Sequence, residues 1–552
     1  YLDDPESTGG GGVPDPLLAE LERARTGAMR DIVGTIQAEQ DVVIRAPLDR
    51  VVIVQGGPGT GKTAVGLHRA AFLLFEHRGQ LQRDGVLVIG PNPVFLRYIA
   101  EVLPSLGETA VVQTTILGLA GRFVVRAGDD SLVAAIKGDA RMATVIDRAC
   151  RAGIRPLSED LRIRTRWGSA VLDKDEVNAL LVRAQERAAT LGNGRDAFRL
   201  EVHRLAHRLL SRDRADFLVD RTQVEAELRD DAGFRRALDR AWPRASAAAV
   251  VRRLLTSRTA MADAATGTLS RDEQQALLRR AGPSIDREPW TAGDIPLLDE
   301  AEHRFNGTGR RYGHIVVDEA QDLSPLAIRM LARRTMAVPS MTILGDLAQA
   351  TAPAGQQRWE DVLDQLGRPE RSSIEELAIG YRVPAQILDL ANRLLAVAAP
   401  DLRPSRSIRT TPQLPRIIEV DDPAELGARV AAEVMEVAAR WVSIGVIAPE
   451  GRTESVRQAL ATAGIPASVA VAGPSETSVV VLTPVEAKGL EFDAVIVVDP
   501  AGILAITPAG ARHLYVALTR AVQHLSVIHL GPLPGVLGDH APGETVAATF
   551  IP

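Results

Sequence analysis

The 552-residue sequence is short of cysteine, of aromatic residues and of lysine, and it contains no long apolar run. Cys150 is the single cysteine, which excludes an internal disulfide and predicts a reducing, cytoplasmic location. No stretch reaches the roughly 18 uncharged apolar residues that a membrane-spanning helix needs, so we expect no membrane partner. The classes that remain are globular proteins of the cell interior.

Aromatic residues make up only 4% of the chain, and the formal net charge is −6 with an isoelectric point near 6.0. Strong nonspecific binding of nucleic acid normally needs a basic surface and aromatic side chains on which bases stack. Both properties therefore favour weak or indirect contact with DNA or RNA. The length and an ordinary apolar fraction of 46% predict a protein of two to four domains.

A phosphate-binding pattern is the most specific feature of the sequence. Four apolar residues at 51–54 predict a strand that runs into a glycine-rich loop and then into a helical pattern. Glycines let successive backbone N–H groups point at phosphates, and the helix N-terminus adds the positive end of its dipole. The spacing Gly56-x-x-x-x-Gly61-Lys62-Thr63 predicts an ATP site in which Lys62 neutralises the phosphates and Thr63 binds Mg²⁺. The other ATP-binding residues predicted in this loop are Gly57, Pro58, Gly59, Thr60 and Gly61.

Two carboxylates follow a second apolar strand, in Ile315-Val-Val-Asp-Glu-Ala-Gln-Asp322. In a phosphate-binding fold, one carboxylate after such a strand can hold Mg²⁺, and a second can polarise the attacking water. We assign these roles to Asp318, as a metal ligand, and to Glu319, as a catalytic residue. An Asp-Glu pair alone is usually a surface loop, but the phosphate loop upstream favours the catalytic interpretation.

Strands that alternate with helices occur in two parts of the chain and predict an α/β fold with parallel, doubly wound sheets. Residues 121–300 differ, because they are rich in Arg, Ala, Leu and Glu at helical spacing, as in 201–210, 224–242 and 271–280. We interpret them as a helical insertion domain; the alternative is that they only pack against the core. The predicted strands lie near 86–89, 111–115, 314–317, 341–344, 417–420, 442–447, 479–482, 494–498 and 525–529, and the predicted helices near 17–43, 93–103, 424–440 and 452–463.

The sequence Asp318-Glu-Ala-Gln-Asp322 resembles motif II of superfamily 1 helicases of the UvrD/Rep type, and the other motifs of that family occur in its order. Gln40, about twenty residues before Lys62, matches the glutamine that reads adenine, although Gln37 is a close competitor. Gly345-Asp-Leu-Ala-Gln349 resembles motif III, whose glutamine senses the γ-phosphate. The resemblance therefore implies that Gln349 is a catalytic residue.

The later motifs also resemble those of the family. Gly380-Tyr-Arg382 resembles motif IV, which implies Tyr381 against the adenine and Arg382 on the γ-phosphate. Residues 483–492 resemble motif V, in which Glu491 would contact the ribose, and Tyr515-Val-Ala-Leu-Thr-Arg520 resembles motif VI, with Arg520 on the phosphates. Phosphoryl transfer depends on positioning and charge neutralisation, for which two guanidinium groups are well suited.

The resemblance implies two RecA-like P-loop domains, a mostly helical insertion in the first, and ATP with Mg²⁺ as ligands. If both arginines reach across from the second domain, hydrolysis is coupled to closure of a cleft. The expected division is 1–30 as a linker or N-terminal remnant, 31–120 and 301–378 as the first RecA-like domain, 121–300 as its insertion, 379–532 as the second RecA-like domain and 533–552 as a loose tail.

The sequence departs from the UvrD and Rep pattern where those proteins touch DNA. Motif Ia reads Ile89-Gly-Pro-Asn-Pro-Val-Phe-Leu-Arg97, and motif V begins Thr483-Pro-Val. After Gln349 the chain continues Ala-Thr-Ala-Pro-Ala-Gly, and its next aromatic residue is Trp359. Only 106 positions separate Arg382 from Lys488, too few for the large second-domain insertion of UvrD and Rep.

With these departures, the motif pattern is similar to that of the HelD branch (HelD/HelR, helicase IV-like) of Gram-positive bacteria. The run from Met29 to Gln40, the loop Gln55–Thr63 and the segment Leu344–Thr351 resemble that branch. For this family the resemblance implies an ATPase that binds RNA polymerase and releases it from stalled complexes, and some members displace rifamycin-class antibiotics. It also implies an insertion that reaches the primary channel of the polymerase.

We therefore expect a monomeric, polymerase-associated motor. The second hypothesis is a translocase or helicase that moves 3′ to 5′ on single-stranded DNA. A third is a nucleotide-dependent binding module with little turnover, against which Glu319, Arg382 and Arg520 argue.

Overall fold

A parallel sheet of six strands forms the first lobe of the protein. The computed structural model describes residues 27–92, 96, 111–121, 123–212, 220–411, 413–468, 478–506 and 509–538. The strands are β1 (Val51–Gly56), β2 (Val86–Ile89), β3 (Val111–Thr114), β6 (His314–Val317), β7 (Met341–Gly345) and β8 (Ser372–Leu377), in the order β3-β2-β6-β7-β1-β8. All neighbouring pairs are parallel.

The four central strands of this sheet are buried along their whole length, because helices cover both of its faces. Helices α1 (Gly27–Ile44), α2 (Lys62–Glu76) and α3 (Arg78–Asp84) belong to this lobe. The fully buried Arg69 of α2 donates hydrogen bonds to the Val43 carbonyl in the last turn of α1 and to the Thr342 hydroxyl of β7. It therefore ties two helices and a strand together, and burial lowers the pKa of its guanidinium to about 10.

A second parallel sheet forms the second lobe. Its strands are β11 (Arg416–Val420), β12 (Ser443–Ile447), β13 (Ala467–Ser468), β14 (Ser478–Leu482), β15 (Phe492–Val498) and β16 (Ala521–Leu530), in the order β11-β16-β15-β12-β14-β13. Before it, β9 (Ile379–Gly380) and β10 (Arg406–Ser407) form a short parallel ladder. Two apolar clusters, one for each face of the sheet, form the core of this lobe.

The predicted α/β fold with two doubly wound parallel sheets is confirmed. The two lobes together form one compact unit, made of the described residues up to Thr115, of Tyr312–Leu323 and of those from Ala337 onward. The remaining helices of this unit are α15 (Trp359–Gln365), α16 (Ala385–Asn392), α17 (Leu395–Ala398), α18 (Leu426–Ala438), α19 (Glu450–Thr462), α20 (Pro500–Leu504) and α21 (Gly510–Leu518).

The inserted unit comprises Ile116–Arg311 and Ser324–Met336 and has a hydrophobic core of its own. Besides helices it contains an antiparallel hairpin that the sequence did not predict, β4 (Leu161–Thr165) and β5 (Gly168–Leu172). Its helices are α4 (Ser131–Gly138), α5 (Met142–Arg151), α6 (Lys174–Arg187), α7 (Leu191–Ser211), α8 (Arg221–Asp230), α9 (Ala232–Ala241), α10 (Ala247–Thr256), α11 (Arg258–Ala265), α12 (Arg271–Leu277), α13 (Asp294–Asn306) and α14 (Pro325–Ala332).

Three local expectations need correction or fall outside the described residues. The helical stretch 224–242 is broken at Asp231, whose carboxylate accepts the N–H of Phe234 and so starts a new helix. The tail is not loose between 533 and 538, because Leu537 is buried and its carbonyl accepts a hydrogen bond from Arg393. Residues 17–26 of the helix predicted at 17–43, and almost all of the helix predicted at 93–103, lie outside the described residues. Within the described part, no helix has the length and apolarity to cross a membrane.

Candidate nucleotide-binding site

The strand order of the first lobe places three loops at one edge of its sheet. Strands β6, β7 and β1 are neighbours, so the loops after their carboxyl ends meet. The loop after β1 carries the phosphate-binding pattern, the loop after β6 carries Asp318 and Glu319, and the loop after β7 carries Gln349. The fold thereby brings together the first-lobe residues that the sequence assigned to phosphate and metal chemistry.

The phosphate loop has the backbone that its glycines permit. Gly59 and Gly61 have φ of 71° and 82°, in the left-handed region, and α2 begins directly at Lys62. The buried Thr60 closes the loop by donating its hydroxyl hydrogen to the carbonyl of Gly57 at 2.9 Å. The loop is therefore shaped by its own sequence as an anion cradle at a helix N-terminus.

The cationic and metal-binding groups of the loop are also in place. The Lys62 Nζ donates to the carbonyl oxygens of Gly56 and Gly57 at 2.6 and 3.1 Å, which holds the ammonium over the loop. The Thr63 hydroxyl donates to Oδ2 of Asp318 at 2.7 Å, although 255 positions separate the two residues. A hydroxyl beside a carboxylate is the donor pair that Mg²⁺ takes when it also binds water and phosphate oxygens.

The metal expectation fits this small donor set. Within the described residues, no three His, Cys, Asp or Glu side chains cluster as a metal-binding group. Mg²⁺ usually relies on one or two protein oxygens and completes its shell with water and phosphate. Thr63 and Asp318 would hold it, and bound there it would neutralise charge on the phosphate oxygens.

The pKa values of the two carboxylates of motif II are shifted in opposite directions by their surroundings. Burial and the adjacent charge of Glu319 raise the pKa of Asp318 to about 6, although the Thr63 hydroxyl, the Glu319 N–H and Lys62 act against this. Burial alone would raise the pKa of Glu319, but the charges of Lys488 and Lys62 and a hydrogen bond from Gln321 outweigh it and lower that pKa. Glu319 is thus kept ionised, as a general base must be.

Motif III is held by a buried polar network that the sequence did not predict. Asp346 accepts hydrogen bonds from the side-chain amides of Gln55 and Gln349, at 3.1 and 2.7 Å. The oxygen of the Gln55 amide in turn accepts the indole N–H of Trp359 at 2.9 Å. Gln321 donates to Glu319 at 2.5 Å and accepts the N–H of Asp346 at 3.1 Å. The network links the catalytic carboxylate to Gln349, and only its long-range contacts could have revealed it.

Arg520 reaches from the second lobe into this network. Its Nη2 donates to Oε1 of Gln349 at 2.9 Å, and its Nε donates to the carbonyl of Val516 at 3.1 Å. The side chain is buried, and it also contributes to lowering the pKa of Glu319. The structure therefore connects Arg520 to Gln349 and to the network around Glu319, and their contact with the phosphates stays a prediction.

Arg382, Glu491 and Tyr381 form a second group at the phosphate loop. Arg382 pairs with Glu491 at 3.4 Å, and its guanidinium lies 5.8 Å from the centre of the Tyr381 ring. Tyr381 donates its N–H to the carbonyl of Gly59, and its ring is only 1% exposed. Its hydroxyl lies against Gly61. The ring was expected to lie against adenine, but here it packs against the loop and offers no free face to a base.

Gln40, with Gln37 as its competitor, stays the predicted adenine-reading residue. A cavity of about 520 Å³ adjoins the phosphate loop and is lined from α1 by Glu39, and neither Gln40 nor Gln37 lines it. Burial raises the pKa of the Glu39 carboxyl, and a hydrogen bond from the N–H of Ala378 partly offsets this. The rest of the lining is Gln55, Gly56, Gly57, residues 376–379 and residues 402–406.

A phosphate loop, a motif II carboxylate pair and arginines from the second lobe define an ATP-hydrolysing, helicase-like enzyme. The family model described as an AAA domain matches residues 39–355, more than half of the chain, and the chain belongs to that family. A second model, the UvrD-like helicase C-terminal domain, matches residues 478–528. The superfamily 1 fold of the UvrD/Rep type is thereby confirmed.

Curated relatives support the same class. The chain is 29% identical over 255 residues to the ATP-dependent DNA helicase UvrD2 of Mycobacterium tuberculosis H37Rv, and equally to UvrD2 of Mycobacterium bovis. The match spans 42% of this chain and 36% of each relative, so about a third of their length is represented. The C-terminal domain of a possible DNA helicase from Lactobacillus plantarum WCFS1 is 24% identical, with a TM-score of 0.23, over 28% of this chain and 91% of that structure.

Proposed function

We propose that this protein is an ATP-driven motor that binds RNA polymerase and uses closure of its two lobes to release or recycle stalled polymerase complexes. Hydrolysis would use Glu319 to orient the attacking water, while Lys62, Arg382 and Arg520 neutralise charge on the phosphates. Gln349 contacts Arg520 and lies in the network that holds Glu319, so a change at the phosphates can be passed to the second lobe.

The observation that carries this proposal is the buried position of Trp359. In the segment after motif III, where UvrD-like proteins stack a base, Trp359 is only 4% exposed and its indole N–H is bound to Gln55. Residues 350–355 contain no aromatic side chain. A motor without an exposed aromatic ring for base stacking has fewer contacts with a single strand. The inserted unit, with its own hydrophobic core, is a separate body on which a protein partner could act.

The test compares activators of the ATPase. We expect RNA polymerase core to stimulate hydrolysis by the protein much more than oligo-dT does at the same salt concentration. Lys62→Ala should abolish turnover with the fold intact, because the loop loses its ammonium; hydrolysis retained by this variant would mean that the site is misassigned. Co-purification of polymerase subunits with the tagged protein would support the proposal. Stimulation by oligo-dT alone, with no response to polymerase, would overturn it.

The second candidate is a translocase on single-stranded DNA that moves 3′ to 5′. The similarity to UvrD2, a DNA helicase, favours it. In this case the affinity for oligo-dT should fall steeply with salt, since each phosphate contact releases counterions. The acidic net charge of −6 argues for a shallow dependence instead. One salt titration of oligo-dT binding therefore separates the two candidates.

A further inference from the structure

Lys488 joins the second lobe to the catalytic loops of the first. It lies after strand β14, and its side chain is 11% exposed. Its Nζ pairs with Oδ2 of Asp322 at 2.5 Å and also donates to the backbone carbonyl of Gln349. One ammonium group therefore contacts the end of motif II and the end of motif III at once.

Asp322 already connects those two loops within the first lobe. Its Oδ1 accepts the backbone N–H groups of Thr351 and Ala352, at 3.1 and 3.2 Å. The carboxylate thus fixes the chain that follows Gln349 relative to the chain that follows Glu319. Lys488 binds the other oxygen of this carboxylate and so connects the second lobe to the same residue.

Gln349 is held twice by the second lobe. Arg520 binds its side-chain oxygen at 2.9 Å, and Lys488 binds its backbone oxygen. Two cations from different parts of the second lobe, the turn after β14 and the end of α21, therefore fix one glutamine. If the lobes shifted, both contacts would have to break together.

We propose that Lys488 is a positioning residue for ATP hydrolysis, which bridges Asp322 and the backbone of Gln349 and thereby fixes the register in which Gln349 and Arg520 meet the phosphates. The inference rests on the ATP hydrolysis of the proposed function and not on its polymerase partner. Because the pair is largely buried, removal of one member leaves a poorly solvated charge on the other, unlike at an exposed ion pair.

The first test replaces the lysine and separates binding from turnover. Lys488→Met should lower kcat by about 10- to 100-fold and change KM for ATP by less than about 3-fold, because the contact orients groups and does not hold the substrate. Lys488→Arg, which keeps the charge and the donors, should recover part of kcat. Lys174→Met makes the same chemical change in the inserted unit and should leave both constants unchanged. Melting curves of the three variants establish that they are folded.

The second test uses the partner carboxylate. Asp322→Asn keeps an oxygen for the N–H groups of Thr351 and Ala352 but loses the charge that binds Lys488. It should lower kcat as Lys488→Met does, and the double variant should be no slower than either single variant. Full activity of Lys488→Met, losses that multiply in the double variant, or a raised KM with unchanged kcat would overturn the inference. A parent protein that hydrolyses no ATP would overturn the proposed function and this inference with it, whereas an active parent with an active Lys488→Met variant overturns the inference alone.

Discussion

At the scale of single residues, the site depends on two adjacent carboxylates whose pKa values are shifted in opposite directions. Asp318 has a pKa raised to about 6 by burial and by its neighbour, whereas the charges of Lys488 and Lys62 lower the pKa of Glu319 despite its burial. Glu319 also has a φ of 53°, which is unusual outside glycine and places strain at the catalytic position. The two lysines, one from each lobe, therefore keep Glu319 ionised, which its proposed role as the base requires.

Asp318→Asn should stabilise the protein in the absence of nucleotide and metal. The folded pKa of about 6 lies above the usual value of 3.8, so protonation of Asp318 favours the folded state. This contribution is present below pH 3.8 and is lost as the pH rises through 6. At pH 8 the neutral asparagine should raise the free energy of unfolding by roughly 1–3 kcal/mol, and near pH 4 the gain should vanish. Urea unfolding at both pH values measures this; a gain independent of pH would contradict it.

Gly61→Ala should damage the loop by more than the usual cost of a left-handed alanine. Gly61 has a φ of 82°, and a Cβ there would lie 2.4 Å from the hydroxyl oxygen of Tyr381. Gly464 has a φ of 74° with nothing within 4 Å of the same position, so Gly464→Ala is the matched control. The control should cost about 1 kcal/mol, and Gly61→Ala should cost more and lose ATP binding.

Tyr381→Phe in the Gly61→Ala background should recover part of that loss, since it removes the clashing oxygen. Thermal unfolding and equilibrium binding of ATP measure both effects. Equal costs at the two glycines would show that the contact with Tyr381 does not constrain the loop.

The residues that the sequence could not identify are those whose role depends on distant partners. The motifs identified Lys62, Thr63 and Asp318 as candidate site residues, because short spacing fixes their placement in a strand, loop and helix. Gln55 and Asp346 lie inside recognised motifs, but no local pattern shows that they bind each other under Gln349, because 291 positions separate the two residues.

At the scale of elements, strand order decides which loops meet. The central strands were predicted almost residue for residue, because strands buried on both faces are continuous apolar runs. The edge strand β8 was missed, since Ser372, Ser373, Glu375 and Glu376 make it polar and it is half exposed. The hairpin β4–β5 was missed because both strands are only five residues long and β4 carries two arginines. Apolar runs were therefore predictable even in the part-exposed edge strands β3 and β11, whereas polar strands were not.

Trp359→Phe should weaken the hydrogen-bonded connection that joins α15 to β1 and to the end of β7. The change removes the indole donor from the buried oxygen of Gln55, which still accepts the N–H of Leu347, so it should cost about 0.5–1.5 kcal/mol and lower the ATPase rate. Binding of oligo-dT should not change, because the ring is internal. Trp441→Phe, at a half-buried position packed against the core of the second lobe, is the control and should have a smaller effect. A selective loss of oligo-dT affinity in Trp359→Phe would contradict this role.

At the scale of the whole molecule, the two lobes belong to one compact unit and exchange contacts at the catalytic loops. Arg520 and Lys488 reach Gln349, and Arg512 donates to the carbonyl of Ala350 and to the side chain of Gln357. The motif order implied two lobes around one nucleotide, but the particular contacts required the structure. These contacts predict that binding and splitting of ATP change how the lobes are held together.

The distance between the lobes in solution tests this claim most directly. Phe75 in α2 and Met435 in α18 are 81% and 54% exposed, and Cys150 is buried, so spin labels on Phe75→Cys and Met435→Cys would report on the two lobes. The distance distribution should shift when a non-hydrolysable ATP analogue binds and should return when ADP replaces it, and Lys62→Ala should abolish the shift. The same distribution in the free, analogue-bound and ADP-bound protein would contradict an ATP-driven motion of the lobes.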